Sequence, residues 1–92
     1  MSYQPSIEIL NSGSAVGLIL LIHKENQIHS SDLRRVRGGY DRLKKVADEL
    51  RMAGIVDIET IEKPYLTFVY RLTDKGNVIA EKLLEIDTII KE

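Results

Sequence analysis

Basic side chains are concentrated between Ser30 and Met52, a segment that holds seven of them. Four acidic residues accompany them, so this segment carries a net charge of +3, whereas the whole chain carries −1. Guanidinium and ammonium groups donate hydrogen bonds to phosphate oxygens and guanine edges, and a basic segment on an acidic body is typical of a nucleic-acid-binding face. A solvated helix face is the alternative explanation. The seven are Arg34, Arg35, Arg37, Arg42, Lys44, Lys45 and Arg51.

Residue patterns of catalytic or metal-binding sites do not occur in the sequence. His23 and His29 lie six residues apart in a chain without cysteine, and this spacing fits no metal site. Ser30 and Ser31 belong to no readable Ser-His-Asp set, and we expect them to cap a helix. Gly38-Gly39 lacks the further residues of a phosphate-binding loop. The sequence therefore predicts a protein with no enzymatic activity, no metal and no cofactor.

The length and hydropathy of the chain limit what it can form. Its 92 residues, 43% of them hydrophobic, suffice for one modest core, so we expect a single domain over 1–92. The longest apolar run, Ala15–Ile22, is shorter than the roughly 18 residues of a membrane span. No basic region precedes this run as it would in a signal peptide. We therefore expect a soluble, cytoplasmic protein with no membrane partner.

Two helices and a tight turn are predicted before residue 40. The first helix, about Ser14–Lys24, is apolar almost all round and should lie at the centre of the core, with Ser14 among its candidate N-caps. Ile28-His29 forms a short extended piece, and a short second helix covers about Ser31–Arg37. Gly38-Gly39 then ends the second helix, because adjacent glycines allow the positive φ of a sharp turn.

A third helix, about Tyr40–Met52, has two contrasting faces. Its apolar residues recur at three-to-four spacing and form one stripe, made by Leu43, Val46, Ala47 and Leu50. The opposite face holds Asp41, Lys45, Asp48 and Met52, flanked by Arg42 and Lys44. Gly54 stands where a C-cap glycine is expected. This helix should pack by one face and present the other outward.

The residues after the third helix predict a hairpin and a final helix. From Ile55 to Leu72 apolar and polar residues alternate, which indicates two strands, with a turn at Glu62–Tyr65. Thr73 can cap a final helix over about Asp74–Lys91. The whole order predicts an α+β fold in which a helix-turn-helix at about Ser30–Met52 precedes a β-hairpin and a C-terminal helix. In a helix-turn-helix the second helix of the pair enters the major groove of DNA.

Three stretches of the sequence resemble the winged-helix fold of MarR- and PadR-type transcription regulators. They are Ile28–Val36, Tyr40–Val56 and Tyr70–Gly76, and the last contains Leu-Thr-Asp-Lys-Gly, which is similar to the strand-to-helix junction of those families. From about residue 14 to 92 the chain also resembles small archaeal winged-helix proteins that dimerise through a C-terminal helix and bind DNA with little sequence preference. The resemblance implies a winged helix over 14–73 and a dimerisation helix over 74–92.

The resemblance also implies a recognition helix at Tyr40–Met52 and a wing tip at Glu62–Tyr65. The wing departs from the usual basic pattern because Lys63 stands beside acidic residues, and we interpret Tyr65 as a packing residue. The partner expected is double-stranded DNA. The residues expected to contact DNA are Ser31, Arg34, Arg37, Gly39, Tyr40, Asp41, Arg42, Lys44, Lys45, Asp48 and Lys63.

The final helix carries a heptad-like apolar seam. This seam could fold back onto the first helix, or it could pair with the same helix of a second chain to form a homodimer. The residues expected at such an interface are Ile79, Leu83, Ile86, Ile89 and Ile90. Two functions stay open at this point: a dimeric DNA-binding transcription regulator or architectural protein, and a winged-helix module for protein–protein interaction.

Overall fold

The structure, a computed structural model, describes residues 3–12 and 14–92; Met1, Ser2 and Gly13 lie outside the described residues. The described part contains helices and an antiparallel sheet, which confirms the predicted α+β class. In chain order its elements are the 3-10 helix η1 (Ser6–Asn11), α1 (Ala15–Glu25), β1 (Gln27–His29), the 3-10 helix η2 (Ser30–Arg35), α2 (Tyr40–Met52), β2 (Val56–Ile61), β3 (Thr67–Leu72) and α3 (Asp74–Lys91).

Helix α1 lies at the centre of the hydrophobic core, as its sequence predicts. It contacts α2, α3 and the sheet, and it buries four side chains: Ala15, Leu18, Ile19 and Ile22. Ser14 precedes the helix with φ 62°, and its side chain makes no capping hydrogen bond, so the prediction of a Ser14 cap is wrong. The reason is that a left-handed residue at this position points its side chain away from the first-turn amides.

The sheet has the strand order β1-β3-β2, and both pairings are antiparallel. Tyr70 on β3 stands between Ile28 on β1 and Ile58 on β2, and this row of side chains faces the core. Strands β2 and β3 form the predicted hairpin. Because β3 is the central strand, Val69 on its opposite face is buried as well.

The segment that follows β1 differs from its prediction. It is a 3-10 helix over Ser30–Arg35 and not a helix over Ser31–Arg37. Neither serine caps it: the Ser30 hydroxyl is buried 3.0 Å from the Thr67 hydroxyl. The Asp32 carboxylate instead accepts a hydrogen bond of 2.9 Å from the backbone N–H of His29. The prediction of serine caps is therefore wrong, because a contact with β3 uses the hydroxyl that would otherwise bind the helix start.

Helix α2 spans Tyr40–Met52, the range that its sequence predicts. The predicted apolar stripe is buried against α1, η2 and β2. At its end, Gly54 adopts φ 77° and the Ile55 N–H donates to the Leu50 carbonyl oxygen at 2.9 Å. This bond and the one from Gly54 to Arg51 form a Schellman motif, which confirms the C-cap glycine.

Helix α3 begins at the Leu-Thr-Asp-Lys-Gly junction, and the geometry explains that motif. Thr73 caps the helix by accepting from the Gly76 N–H at 3.0 Å, while its hydroxyl donates to the Gly54 carbonyl oxygen at 2.6 Å. Gly76 is buried, and a Cβ there would collide with the carbonyl oxygen of Ile55. The threonine and the glycine together therefore hold the start of α3 against the end of α2.

The N-terminal segment lies beside α3 and the end of α2. An apolar groove of about 390 Å³ runs between η1 and α3, with Ile7, Leu10, Val78 and Ile86 among the residues that line it. The Ser12 hydroxyl donates to the Glu49 carboxylate at 2.9 Å, which ties this segment to α2. No helix within residues 3–12 and 14–92 is both long and apolar enough to cross a membrane.

Candidate nucleic-acid interface

The outer face of α2 is exposed and mostly polar, with Met52 as its apolar member. Asp41, Lys45, Asp48 and Met52 all lie on the side opposite the buried stripe and are open to solvent. The two faces follow from the 3.6-residue period of the helix, because every apolar residue at three-to-four spacing falls on the core side. The structure therefore places these four residues on one accessible surface, as the sequence predicts.

Positive charge on α2 is concentrated in its first half. Arg42, Lys44 and Lys45 lie in the first two turns with Asp41, whereas the second half carries Asp48, Glu49 and Arg51. In the second half Arg51 forms an ion pair with Asp48 at 3.5 Å. Within residues 3–12 and 14–92, none of the three cations of the first half forms an ion pair. The first half of α2 therefore has unneutralised cationic groups.

Lys44 does not extend freely into solvent like its neighbours. Its ammonium nitrogen lies 4.9 Å from the centroid of the Phe68 ring and 5.7 Å from that of the Tyr40 ring. Both distances fall within the range of cation–π attraction. Phe68 belongs to β3, so it fixes the charge of Lys44 at the boundary between α2 and the hairpin. Sequence reasoning missed Phe68 because no local pattern links these two positions.

The arginines that precede α2 differ in their partners. Arg35 lies 2.7 Å from the Glu25 carboxylate and 3.8 Å from that of Asp32. The hydrogen bond and the charge of Glu25 raise the pKa of the Arg35 guanidinium. Arg34 and Arg37 are exposed and form no ion pair in the described part of the chain. Ser31 is also exposed on η2, so it accompanies Arg34 on the same short element.

The turn between η2 and α2 depends on its glycines. Gly38 has φ 133° and Gly39 has φ 84°, conformations that other residues rarely adopt. At Gly38 a Cβ would also lie 3.3 Å from the Ser14 hydroxyl oxygen. The Gly39 carbonyl oxygen accepts from the Leu43 N–H at 3.0 Å and so begins α2. The turn therefore joins Arg37 directly to the first turns of α2.

The hairpin offers little free positive charge. Arg71 on β3 is held by Glu59 at 2.8 Å and donates to the Gln27 side chain at 2.9 Å. Lys63 is exposed in the loop between β2 and β3. Tyr65 in the same loop is 74% exposed, so its interpretation as a packing residue is wrong. Tyr65 lies in the loop between β2 and β3, where its neighbours from Glu62 to Leu66 are also exposed.

Tyr70 lies beneath the side of α2 that faces the hairpin. It is almost completely buried, and burial raises the pKa of its hydroxyl to about 12, with smaller contributions from Tyr40 and Asp48. The Tyr70 hydroxyl therefore keeps its proton up to about pH 12 in the folded protein.

The predicted interface residues on α3 fall into two groups. Ile79 and Leu83 are half-buried and pack against the core. Ile86, Ile89 and Ile90 are 47%, 65% and 74% exposed. The helix has an apolar face wider than the core can cover, because only one side of that face meets α1. The structure therefore leaves the second half of the seam in solvent.

No cluster of three histidine, cysteine or acidic side chains suited to a metal ion occurs among the described residues.

Comparison with solved structures identifies the fold. A transcriptional regulator homologue from Pyrococcus horikoshii OT3 superposes with a TM-score of 0.77 and 18% identity over 94% of this chain and 88% of that one. The protein AF1382 from Archaeoglobus fulgidus superposes with a TM-score of 0.79 and 22% identity over 96% of this chain and 99% of that one. The putative transcriptional regulator ytfH from Salmonella typhimurium superposes with a TM-score of 0.78 and 22% identity over 92% of this chain and 77% of that one. This chain therefore has the winged helix-turn-helix fold, in which η2 and α2 form the helix-turn-helix and β2–β3 form the wing.

A scan against protein-family models finds no match, and a search of curated proteins finds none either.

Proposed function

We propose that this protein binds double-stranded DNA as a transcription regulator or architectural protein of the cytoplasm, with α2 in the major groove. The observation that carries the proposal is a group of cations without a carboxylate partner among residues 3–12 and 14–92: Arg34, Arg37, Arg42, Lys44 and Lys45. Other arginines, such as Arg35 and Arg71, have carboxylate partners within the chain. Cations without internal partners are available to phosphates, and each contact releases a counterion from DNA.

The position of these cations on α2 supports the same proposal. In a helix-turn-helix the N-terminal residues of the recognition helix contact base edges. The free cations and the exposed Asp41 lie in that half of α2, which begins at the narrow glycine turn. The major groove, about 12 Å wide, admits a helix whose outer side chains are extended and polar. Lys44, held by Phe68, would then meet the phosphates at the edge of the groove.

We also propose that two copies of the chain form a homodimer through α3. The seam residues pair symmetrically about the midpoint between Leu84 and Glu85, so that an antiparallel partner would place Ile79 against Ile90 and Leu83 against Ile86. The same register places Lys82 opposite Asp87, which have opposite charge. A two-fold interface must be complementary to itself, and this seam meets that requirement in both its apolar and its charged positions.

Burial energy favours the dimer as well. Ile86, Ile89 and Ile90 would each gain about 1.5–3 kcal/mol from full burial, less the part that is already covered. The groove beside η1 continues this apolar surface with Ile7 and Val78. A two-fold dimer would present two recognition helices to half-sites about one DNA turn apart. Resemblance to MarR, PadR or small archaeal winged-helix proteins is compatible with such a dimer.

A second candidate function is protein–protein interaction through the wing. The wing loop exposes Tyr65 and Leu66, 74% and 63% open to solvent, next to the acidic residue Glu62. An exposed aromatic and aliphatic pair is typical of protein interfaces, and the acidic neighbour disfavours phosphate. This candidate predicts that DNA affinity is absent while a partner protein binds the wing.

Salt-dependent binding to DNA tests the main proposal. Affinity for a random-sequence duplex, measured by fluorescence anisotropy, should fall steeply as salt rises, since several counterions are released. The double variant Arg42→Ala/Lys45→Ala should have a shallower slope. The matched control Lys24→Ala/Lys91→Ala removes two exposed cations from other elements and should keep the slope. Affinity that does not depend on salt, or equal effects of both variants, would contradict the proposal.

Competition with unlabelled DNA separates a sequence-specific regulator from an architectural protein. In a gel shift, a specific regulator should resist excess random competitor on its preferred site, whereas an architectural protein should be displaced equally from every duplex.

Sedimentation equilibrium tests the homodimer independently of DNA. A mass of one chain at all concentrations would overturn the dimer and leave the DNA proposal standing.

A further inference from the structure

Asp41 is an acidic side chain in the middle of the cationic surface. It lies in the first turn of α2, on the face opposite the buried stripe, next to Arg42 and close to Lys44 and Lys45. In the described part of the chain its carboxylate accepts no side-chain or backbone hydrogen bond and forms no ion pair. Its position therefore gives DNA an acceptor-only group at the tip of the recognition helix.

The other acidic residues near α2 have partners. Asp32 accepts from the His29 N–H, and Asp48 pairs with Arg51. Glu49 accepts from the Ser12 hydroxyl at 2.9 Å. These contacts give each of them a role inside the protein. Asp41 gains only the general stabilisation of a negative charge near a helix N-terminus. A carboxylate on any face of the first turn would gain the same stabilisation.

The major groove offers few partners to a carboxylate. Guanine and thymine present acceptor oxygens, which repel it, and adenine presents an amino group beside the acceptor N7. Cytosine presents the N4 amino donor, which suits a group that can only accept. Phosphate repulsion makes an unpaired carboxylate unfavourable everywhere else on the duplex. A cytosine is therefore the partner that compensates for the charge of Asp41.

We propose that Asp41 is a specificity-determining residue that accepts a hydrogen bond from the N4 amino group of a cytosine in each half-site. This inference rests on the proposed DNA-binding function. The cations around Asp41 supply affinity by binding phosphates, whereas Asp41 itself discriminates between base pairs. The protein accordingly prefers sites with a cytosine at one fixed position, and not duplexes of any sequence.

Selection from a randomised duplex library tests this role with full-length protein. The unchanged chain should enrich a cytosine at one position of each half-site, and replacement of that base should weaken binding about tenfold, the scale of one good base contact. Asp41→Ala should flatten the preference at that position alone. Asp41→Asn should shift the preference toward adenine, because an amide both accepts from N6 and donates to N7.

Asp74→Asn is the matched control, because Asp74 is an exposed aspartate in the first turn of another helix, α3. Asp74→Asn should leave the cytosine preference unchanged, whereas Asp41→Asn should change it. Circular dichroism confirms that the exposed substitutions leave the fold intact. Enrichment without a cytosine, or an unchanged cytosine preference in Asp41→Ala, overturns the inference. Failure of the unchanged protein to bind any duplex overturns the proposed function instead, so the two failures are distinguishable.

Discussion

Helices α2 and α3 each bury one stripe in the same core, but their outward faces differ in chemistry. The outward side of α2 carries the exposed cations Arg42 and Lys45, whereas α3 leaves Ile86 and Ile89 open to solvent. A charged face can remain hydrated when nothing covers it. An apolar face of this width is instead unfavourable in water, and monomeric proteins rarely expose large contiguous apolar patches. The first face suits a polyanion, and the second suits another apolar surface.

This difference teaches that burial alone does not define a functional surface. Both faces are accessible to solvent. The outer face of α2 lies opposite its buried stripe, and the exposed part of the α3 seam lies beside residues that pack on the core. What separates them is the free energy of leaving them in water, together with the partners that they already have. Among the described residues, the cations of the first half of α2 have no carboxylate partner, and Ile86, Ile89 and Ile90 on α3 are left largely uncovered.

Removal of the cationic group on α2 should have the largest effect. The triple variant Arg42→Ala/Lys44→Ala/Lys45→Ala should lose about two to three orders of magnitude in duplex affinity near 0.1 M salt, about tenfold per lost phosphate contact. Fluorescence anisotropy at several salt concentrations measures it, and the salt slope should decrease by up to about three. Unchanged duplex affinity in this variant would contradict the assignment of the α2 surface as the DNA-binding surface.

A charge on the apolar face of α3 should break the dimer. Ile86→Glu affects both copies across the two-fold axis. Because Ile86 is only 47% exposed in one chain, about 0.7–1.5 kcal/mol of further burial would be lost twice, roughly 10- to 150-fold in the dissociation constant. Sedimentation equilibrium should show a folded monomer, because Ile86 is already half exposed. Thr88→Glu, on the opposite side of α3, should remain dimeric. An unfolded Ile86→Glu chain would show that the seam completes the core of one molecule.

The wing should contribute less to DNA affinity than α2 does. Lys63→Ala removes the exposed cation of the wing loop and should weaken duplex binding by less than about threefold, whereas Arg42→Ala should weaken it about tenfold. Parallel titrations of both variants on one duplex measure the difference. Equal losses would show that the wing also grips phosphates, and the contrast between α2 and the hairpin would then disappear.

The last prediction concerns Tyr70, whose ionisation has no effect at neutral pH and matters only above about pH 10. The pKa of Tyr70 is raised to about 12 from its ordinary value of 10.0, so the folded state holds this proton more tightly than the unfolded state. The resulting stability is complete below about pH 10 and is lost as the pH rises from about 10 to about 12. In urea unfolding, the Tyr70→Phe variant should lose less stability between pH 10 and pH 12 than the unchanged protein does. The control variant Tyr65→Phe should lose as much stability as the unchanged protein.

Much of the fold could be predicted because its signals are local. The period of the apolar residues defines α1, α2 and the hairpin, and Tyr40–Met52 has the same bounds in sequence and structure. The glycines at 38, 39 and 54 predict their turns because their positive φ values exclude most other residues. The cationic group on α2 follows from the same period. Before Asn11, by contrast, the pattern fits a strand and a helix equally, and η1 forms there.

Contacts between distant segments decided the rest. Ser30 bonds to Thr67 on β3 and so cannot cap η2, and Phe68 on the same strand fixes Lys44. Glu25 neutralises Arg35, which composition alone counts as an available cation. The sequence by itself therefore determined which faces are apolar and which are charged, because side-chain periodicity is a local property. Only the tertiary structure decided which of those side chains keep a free face, because that depends on where the sheet and α1 place their neighbours.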